Sequence, residues 1–349
     1  MMNGEKKPAL AGLSLRELEE LLAIYPAFRS AQIRQWIVSG ALSFDEMSSL
    51  PLPMRKELAE KYELVSGCII SELHDRDGTV KLGIEENDGV VIEAVILKDG
   101  KDRKTACIST QAGCPMGCVF CKTGSLGLKR NLTASEISGQ FLHLRNKDKE
   151  ISHIVIMGMG EPLLNMEELR KALDFIMDKE GLCFSKRRIT LSTCGIVSGI
   201  LDLGNSGPDI RLALSLVTAR EDLRQRLMPS SRENPLTRVK EALLLYQKNR
   251  KRRITLEIVL LGGINTGNAD ALAVADFAKG LDAIVNLIPW NPVPGLEFEG
   301  RPLKPPTNEE ISCFTAVLEK AGQKITRRIG KGLCVSGACG QLGYCSEGA

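Results

Sequence analysis

The sequence lacks any long apolar run. No window approaches the roughly 18 uninterrupted apolar residues that a membrane-spanning helix needs. The first residues, MMNGEKKPALAGL, also lack the apolar stretch of a secretory signal peptide. We therefore expect a cytoplasmic protein that does not act at a membrane.

Strong charge and sequence repetition are missing too. The formal net charge is +3, which permits a nucleic-acid partner without indicating one. No low-complexity segment or short internal repeat is evident. With 43% hydrophobic and 26% charged residues, the composition is that of an ordinary soluble protein. The 349 residues suffice for about two domains and a sizeable core.

Cysteine, in contrast, is plentiful, with eleven residues. Because cytoplasmic thiols stay reduced, we do not interpret them as a disulfide framework. Four of them have no informative spacing, and we expect them to be packing residues. These four are Cys68, Cys183, Cys194 and Cys313. The others should bind metal or react.

The residue patterns divide the chain into four segments. Residues 1–62 contain short helical patterns and predict a helical accessory domain. Residues 63–104 have β-branched runs around an ENDG turn, which predicts a β-hairpin linker. Residues 105–325 alternate six strand-like runs with helical ones, and residues 326–349 form a glycine-rich tail. The alternation predicts a parallel α/β sheet, open or partly closed as a barrel.

Polar residues follow the predicted strands. In parallel α/β proteins, functional groups collect beyond the C-terminal ends of the strands, an edge that we call the mouth. The groups at these positions are a loop with three cysteines, Glu161, Ser192, Ser215 and Asn291. We expect them to converge.

The cysteine loop, residues 114–121, carries Cys114, Cys118 and Cys121 at the spacing C-x3-C-x2-C. Thiolates this close can bind three corners of an iron–sulfur cluster or three positions on zinc. Structural zinc usually takes four protein ligands, often in two pairs, and no second pair at zinc spacing follows. The spacing favours a four-iron cluster with one open iron, and the alternatives are zinc and three incidental cysteines.

At this loop the sequence resembles radical S-adenosylmethionine (SAM) enzymes, whose signature is this cysteine triplet on the first βα loop. It is similar to one branch, the RNA adenine methyltransferases that modify carbon 2 or carbon 8 of adenosine. The segments that carry the resemblance span nearly the whole chain: CISTQAGCPMGCVFCKTG, NLTASEI, VIMGMGEPLLN, ITLSTCG, LIPWNPVPG and ACGQL. The resemblance implies a partial (β/α)6 radical SAM barrel.

The resemblance also implies site residues. The triplet would hold one 4Fe–4S cluster, and two SAM molecules would be used per turnover. Cys339 matches a cysteine that becomes methylated, Cys107 a second catalytic cysteine, and Glu93 a glutamate proposed as proton acceptor. The positions that match SAM contacts are Gly160, Glu161, Ser192, Ser215 and Asn291.

The implied reaction is methylation of carbon 2 of an adenosine in 23S rRNA, with tRNA as a further candidate substrate. It would pass through a methylated Cys339 and a protein–RNA adduct that Cys107 resolves, leaving a disulfide between the two cysteines. The alternatives are methylation of carbon 8 on the same scaffold and a non-catalytic iron–sulfur relative that binds RNA. An external reductant such as flavodoxin or ferredoxin and a monomeric state are expected.

Several residues have a plainer interpretation. Cys107 could be a core residue, and Glu93 could face solvent. The cysteines of the tail could bind a second cluster; these are Cys334, Cys339 and Cys345.

Basic residues differ in their predicted position. The run KNRKRR, residues 248–253, precedes a strand and should lie on a solvated face opposite the mouth. The better candidates for phosphate contacts are Lys129, Arg130, Arg327, Arg328 and Lys331.

Two stretches depart from the family pattern. Where the family usually has Ser-Leu-His after the fourth strand, this chain has Val217 in place of the histidine. The stretch before ACGQL reads GKGLCVSG instead of an Arg-Gly…Asp-Ile sequence.

Overall fold

The computed structural model describes residues 7–99, 103–328 and 330–343. Ten strands form one sheet, and two short antiparallel pairs, β5–β6 and β12–β13, stand apart from it. In chain order the strands are β1 (Cys68–His74), β2 (Val80–Glu85), β3 (Val91–Lys98), β4 (Lys104–Ile108), β5 (Gln111–Gly113), β6 (Leu128–Asn131), β7 (Ile151–Ile156), β8 (Ile189–Thr193), β9 (Arg211–Ser215), β10 (Ile254–Leu260), β11 (Ala283–Pro289), β12 (Glu297–Phe298), β13 (Arg301–Pro302) and β14 (Ile325–Arg327).

Helices cover the sheet and form the N-terminal segment. They are α1 (Leu15–Leu21), α2 (Phe28–Ser39), α3 (Leu52–Lys61), α4 (Lys122–Ser125), α5 (Ala134–Lys147), α6 (Met166–Met177), α7 (Val197–Asn205), α8 (Glu221–Leu227), α9 (Leu236–Arg250), α10 (Asn268–Ala278) and α11 (Asn308–Lys320). No helix among the described residues is long and apolar enough to cross a membrane.

The six predicted strands form the centre of the sheet in the order β4-β7-β8-β9-β10-β11. Every neighbouring pair is parallel, which confirms the predicted α/β class and barrel strands. Two of the flanking helices begin at capping boxes. Thr133 accepts from the Glu136 amide and Thr307 from the Glu310 amide, so an otherwise unsatisfied N–H group is bonded at each helix start.

The predicted hairpin is also present, but it belongs to a larger element. β2 and β3 pair antiparallel around the turn at residues 86–89, and β1 pairs with β2. β3 in turn pairs antiparallel with β4, because Val95 lies opposite Cys107. The three strands therefore extend the barrel sheet at one edge.

The opposite edge leads into the tail. β14 pairs parallel with β11 and ends the sheet. The described part of the tail then reaches the β1–β2 turn, where Asp77 Oδ2 accepts from the Gly332 amide and Asp75 Oδ2 from the Cys334 amide, each at 2.9 Å. The tail thus spans from one edge of the sheet to the other.

The N-terminal helices pack on α5 and α6. The Arg34 guanidinium pairs with Asp178 after α6, and Arg145 of α5 donates to the Val38 carbonyl at 3.0 Å. A Cβ on Gly12 would lie 2.9 Å from the Ala134 carbonyl oxygen, so the backbones touch. The division into domains at residues 62, 104 and 325 stays a prediction.

Three of the four cysteines expected to pack inside the protein are instead exposed, so that prediction is wrong for them. Cys68 opens β1 at the edge of the sheet, Cys313 lies on an outer position of α11, and Cys183 lies in a loop with a φ of 51°. Successive side chains of an edge strand point to opposite faces of the sheet, and a helix has an outer face as well as an inner one. A small side chain at either kind of position can therefore lie in solvent as readily as in the core.

The basic run at residues 248–253 lies at the end of α9, before β10 and opposite the mouth, as predicted. Arg252 pairs with Asp209 and Arg253 with Asp282, while Arg250 donates to the Gly207 carbonyl.

Candidate active site

The cysteine loop follows β5, beyond the end of β4, and lies between the two strands of the small β5–β6 hairpin. Gly113 has a φ of 80°, and a Cβ there would lie 1.9 Å from the Gly127 carbonyl oxygen. The two strands approach this closely only because glycine has no side chain. The loop continues under Trp290, whose Nε1 donates to the Phe120 carbonyl at 2.9 Å.

The thiols of the loop lie in an apolar cluster. Cys114 and Cys118 are buried among Met116, Phe120 and Leu227. Burial raises the pKa of the Cys114 and Cys121 thiols, so thiolates here require a cation to stabilise them.

The geometry bears on which metal group the loop suits. Within the described ranges, no three His, Cys, Asp or Glu side chains converge on a point that could hold one metal ion. The ligands of a four-iron cluster bind different irons, so their sulfur atoms need not converge in this way. Three thiols on one loop can thus bind three irons of a four-iron cluster.

A further cysteine lies against the loop. The Cys194 side chain hydrogen-bonds with Cys118, and this contact together with burial raises the pKa of Cys194. The sequence alone predicts that Cys194 is a packing residue. Its position two residues after Ser192, at the end of β8, was the available signal that it reaches the mouth.

Glu161 lies at the base of the site and is 2% exposed. Its Oε2 accepts from the Cys194 amide at 2.7 Å and its Oε1 from the Leu163 amide at 3.1 Å. Burial nevertheless raises its pKa. Gly160 has a φ of 104°, and a Cβ there would lie 2.6 Å from the Gln111 side chain, which accepts from the Glu161 amide. The turn presents a buried carboxyl group that can receive a cationic ligand.

Ser192 and Ser215, at the ends of β8 and β9, bring their hydroxyl groups within 3.0 Å of each other. Val217, next in the same loop, is buried and has a φ of 64°. This conformation is unfavourable for a β-branched residue, and valine offers no hydrogen-bonding group to a ligand.

The tail brings Cys339 into the mouth. The Asn291 amide donates to the Cys339 carbonyl at 3.0 Å, and the Lys122 amide, next to the cysteine loop, donates to the Gly340 carbonyl at 2.8 Å. The Gln341 Nε2 donates a hydrogen bond to the Pro292 carbonyl oxygen at 2.9 Å. Asn291 thus contacts the tail itself in this structure.

Cys107 lies on β4, in the part of the mouth that Cys339 reaches. It is a buried residue of β4, paired with Val95 and Val155 on its two neighbouring strands. Burial raises the pKa of Cys107 to about 12, with the nearby Cys339 acting in the same direction. Both cysteines are free thiols, and Cys339 lies within electrostatic range of Cys107.

A cation stands beside this pair. Arg328 lines a small cavity of about 20 Å³ with Asn291 and Cys339, and its Nη1 lies 3.9 Å from the Met157 sulfur. Its charge opposes the increase in the pKa values of both Cys107 and Cys339. The sequence interpretation gave Arg328 only a phosphate-binding role.

Glu93 is buried, so the alternative of a solvent-facing position does not hold. Lys81 donates to its Oε1 at 2.7 Å, and the Gly343 amide of the tail donates to its Oε2 at 2.6 Å. Lys81 was not anticipated from the sequence, because the two residues meet only through the β2–β3 pairing.

Of the cations proposed to bind phosphate, Arg130 is already engaged. It makes ion pairs with Asp88 and Glu136. Cys334 is exposed and its amide donates to Asp75, and Cys345 lies outside the described residues.

Comparisons with known proteins agree with this geometry. The profile of the radical SAM superfamily matches residues 108–275. A curated protein of Treponema denticola, "Probable dual-specificity RNA methyltransferase RlmN", is 48% identical over 97% of this chain and 96% of its own length. A protein of the same name from Thermus thermophilus is 40% identical over 90% of this chain and 88% of its own length. A crystal structure of a radical SAM methyltransferase from Sphaerobacter thermophilus superimposes with a TM-score of 0.91 and 38% identity, over 96% of this chain and 99% of that one.

The fold and the cysteine loop thus define a radical SAM enzyme, and that superfamily implies SAM and a 4Fe–4S cluster as cofactors. Within it, the full-length similarity shows that the chain belongs to the RlmN family of dual-specificity RNA methyltransferases.

Proposed function

We propose that the enzyme methylates carbon 2 of an adenosine in 23S rRNA, with tRNA as a second substrate. The observation that supports this proposal is that the tail carries Cys339 to the mouth beside the cysteine loop, within electrostatic range of Cys107, although the two cysteines lie far apart in sequence. Two thiols in the same part of the site suit a reaction in which one carries the methyl group and the other releases the product.

The cofactors would be held by groups from five strand ends. Cys114, Cys118 and Cys121 would bind the cluster. The SAM site would be lined by Gly160, Glu161, Ser192, Ser215 and Asn291. When bound, the cluster and SAM supply the methyl group and the radical that activates it, which an aromatic carbon without nucleophilic character requires.

Cys339 would carry the methyl group and then the adenine. It lies on a tail that hydrogen bonds attach at Asn291, Lys122 and Glu93, so its sulfur is held at the mouth without belonging to a strand. Methylation needs its thiolate, and Arg328 is the cation placed to stabilise that form.

Cys107 would release the product. Its thiolate attacks the sulfur of Cys339, and a Cys107–Cys339 disulfide forms as the bond from that sulfur to the methylene carbon of the adduct breaks. The methylene carbon keeps the electron pair of the broken bond and takes up a proton, which completes the methyl group. The ring carbon gives up a proton, for which Glu93 is the proposed acceptor. Glu93 is held by Lys81 and a tail amide, so it stays attached to the part of the chain that carries Cys339. A cellular reductant then reopens the disulfide.

Two alternatives use the same residues differently. A carbon 8 methyltransferase would keep both cysteines, and only the product distinguishes it. A non-catalytic RNA-binding relative would need the cysteine loop alone, so the presence of both Cys107 and Cys339 argues against it. We further propose that the enzyme works as a monomer in the cytoplasm with flavodoxin or ferredoxin as electron donor.

The product identifies the reaction. The cluster-loaded protein is incubated with SAM, reductant and unmodified 23S rRNA or tRNA, and the digested nucleosides are identified by mass spectrometry. We expect 2-methyladenosine from 23S rRNA. Only 8-methyladenosine would support the first alternative, and the absence of both would contradict the proposal.

A further inference from the structure

Arg224 of α8 is a fully buried arginine beside the cysteine loop. Its exposed fraction is 0%. Helix α8 packs directly against the loop, because the Val119 amide donates to the Leu227 carbonyl at 3.0 Å, and Leu223 and Leu227 share an apolar cluster with Cys118. A guanidinium group is thus enclosed in the apolar surroundings of the proposed cluster ligands.

The hydrogen bonds of Arg224 do not balance its charge. Its Nη2 donates to the Cys194 carbonyl at 2.6 Å and its Nε to the Leu216 carbonyl at 3.2 Å, whereas Nη1 is buried without a hydrogen-bond partner. Among the described residues, no carboxylate lies within ion-pair distance of it. Glu221, on the same helix, accepts instead from the Leu236 amide.

An unpaired buried cation is costly and is normally accompanied by an anion. The groups in electrostatic range of Arg224 are the Cys194 thiol, the Glu221 carboxylate, which is not within ion-pair distance, and the Cys118 thiol. Cluster ligands bind iron as thiolates, so cluster binding would place negative charge on this side of the guanidinium. Reduction adds a further electron to the same place.

We propose that Arg224 is the buried counter-charge of the iron–sulfur cluster and raises its reduction potential. This inference rests on the proposed cluster site. A fixed positive charge in a dry environment stabilises the reduced, more negative cluster more than the oxidised one. Arg224 also acts as a positioning residue, since the Cys194 carbonyl that it binds belongs to the residue whose amide donates to Glu161.

The midpoint potential of the cluster tests the proposal. Arg224→Gln removes the charge, Arg224→Lys keeps it, and Arg226→Gln is the control on the same helix, because Arg226 is exposed and pairs with Glu299. Each variant is loaded anaerobically and titrated, with the reduced cluster followed by electron paramagnetic resonance.

In Arg224→Gln we expect the ratio of reduced to oxidised cluster at a fixed potential to fall about tenfold. For a one-electron couple this corresponds to a midpoint potential about 59 mV lower. The Arg224→Lys and Arg226→Gln proteins should keep the wild-type midpoint, although the lysine variant loses hydrogen bonds to carbonyl groups. A structural role would instead affect both Arg224 variants alike.

Three results would overturn the proposal: an unchanged midpoint in Arg224→Gln, an equal shift in Arg226→Gln, or a clear negative shift in Arg224→Lys. If the Arg224→Gln protein does not bind the cluster, the Arg224→Lys protein tests the proposal, because it must bind the cluster and keep the wild-type midpoint potential. A wild-type protein that binds no iron and sulfide would instead refute the cluster site itself.

Discussion

At the scale of single residues, the two cysteines proposed to react depend on their surroundings for the charge that this reaction needs. Cys107 and Cys339 lie where burial disfavours a thiolate, and Arg328 is the cation that opposes this effect. The other titratable groups near Cys339 are Cys121, Glu257 and Lys331. The charge of Arg328 therefore favours the thiolate form of both cysteines against the effect of burial.

Replacing Arg328 by glutamine should slow the alkylation of Cys339. Loss of the cation raises the pKa of the thiol, so less thiolate is present at pH 8, and we expect a rate about three- to tenfold lower. Peptide mass spectrometry after timed iodoacetamide treatment of the cluster-free protein measures this rate. Arg327→Gln is the matched control, because Arg327 is the exposed neighbour in β14. An unchanged rate in Arg328→Gln, or equal slowing in both variants, would contradict the role of Arg328.

Glu86 offers a pH-dependent test of the N-terminal part of the fold. Burial raises the pKa of this carboxyl to about 7, and its Oε1 has no hydrogen-bond partner. Because the folded pKa exceeds the unfolded one, the protonated form favours folding, and stability is lost as the pH rises from about 4.5 through about 7.

Glu86→Gln removes this titration, and the amide can still accept from Ser66. At pH 5 its free energy of unfolding should be close to that of the wild type. At pH 8 it should exceed the wild-type value by up to about 3 kcal/mol. Urea denaturation at both pH values measures the difference, with the exposed Glu85→Gln as control. A gain that does not depend on pH would contradict the pKa assigned to Glu86.

At the scale of structural elements, the β5–β6 hairpin fixes the cysteine loop. Gly113 and Gly127 both have positive φ angles, of 80° and 68°. A Cβ at Gly113 would meet the Gly127 carbonyl at 1.9 Å, whereas a Cβ at Gly127 would have no atom within 4 Å. An alanine at either glycine would therefore suffer the same kind of backbone strain, but only an alanine at position 113 would also clash with a neighbouring atom.

Gly113→Ala should therefore destabilise the protein more than Gly127→Ala. The left-handed backbone costs both variants roughly 1–2 kcal/mol, and the clash adds roughly 1–3 kcal/mol or more at Gly113 alone. Urea denaturation of the two variants gives the comparison. Equal losses would mean that the hairpin relaxes freely and does not fix the loop.

The tail is the second element on which the site depends. Two aspartates of the β1–β2 turn bind its backbone amides, in the stretch where the sequence departs from the family pattern. This stretch is therefore anchored to the sheet by contacts of its own.

Replacing Asp75 and Asp77 together by alanine should release the tail. Cys339 would then become more accessible, so its alkylation should be faster, the opposite of the effect expected for Arg328→Gln. RNA methylation should fall, because Cys339 is no longer held at the mouth. Glu85→Ala, at the other end of β2, is the control. An unchanged alkylation rate would show that these contacts do not hold the tail.

At the scale of the whole molecule, the sequence predicts what local patterns encode. The alternation of strand and helix patterns predicts the six central strands, and the capping boxes predict the starts of α5 and α11. The mouth follows from them, because parallel strands end at one edge.

Long-range contacts could not be predicted in the same way. The anchoring of the tail on Asp75 and Asp77 joins residues far apart in sequence, and no local pattern encodes it. Arg224 is hidden for a different reason, since a charged residue between Leu223 and Leu227 is indistinguishable from a solvent-facing helix residue until the fold buries it. The Lys81–Glu93 pair depends on the register of β2 and β3.

The central claim is that Cys107 and Cys339 act as a pair on one adenosine. The most direct test is mass spectrometry of cluster-loaded Cys107→Ala after incubation with SAM, reductant and unmodified 23S rRNA, with Cys313→Ala as control. The account predicts that Cys107→Ala accumulates a covalent protein–RNA adduct on Cys339, whereas the control turns over and releases methylated RNA. If Cys339 of the Cys107→Ala protein becomes methylated but no adduct accumulates, the role assigned to Cys107 is contradicted.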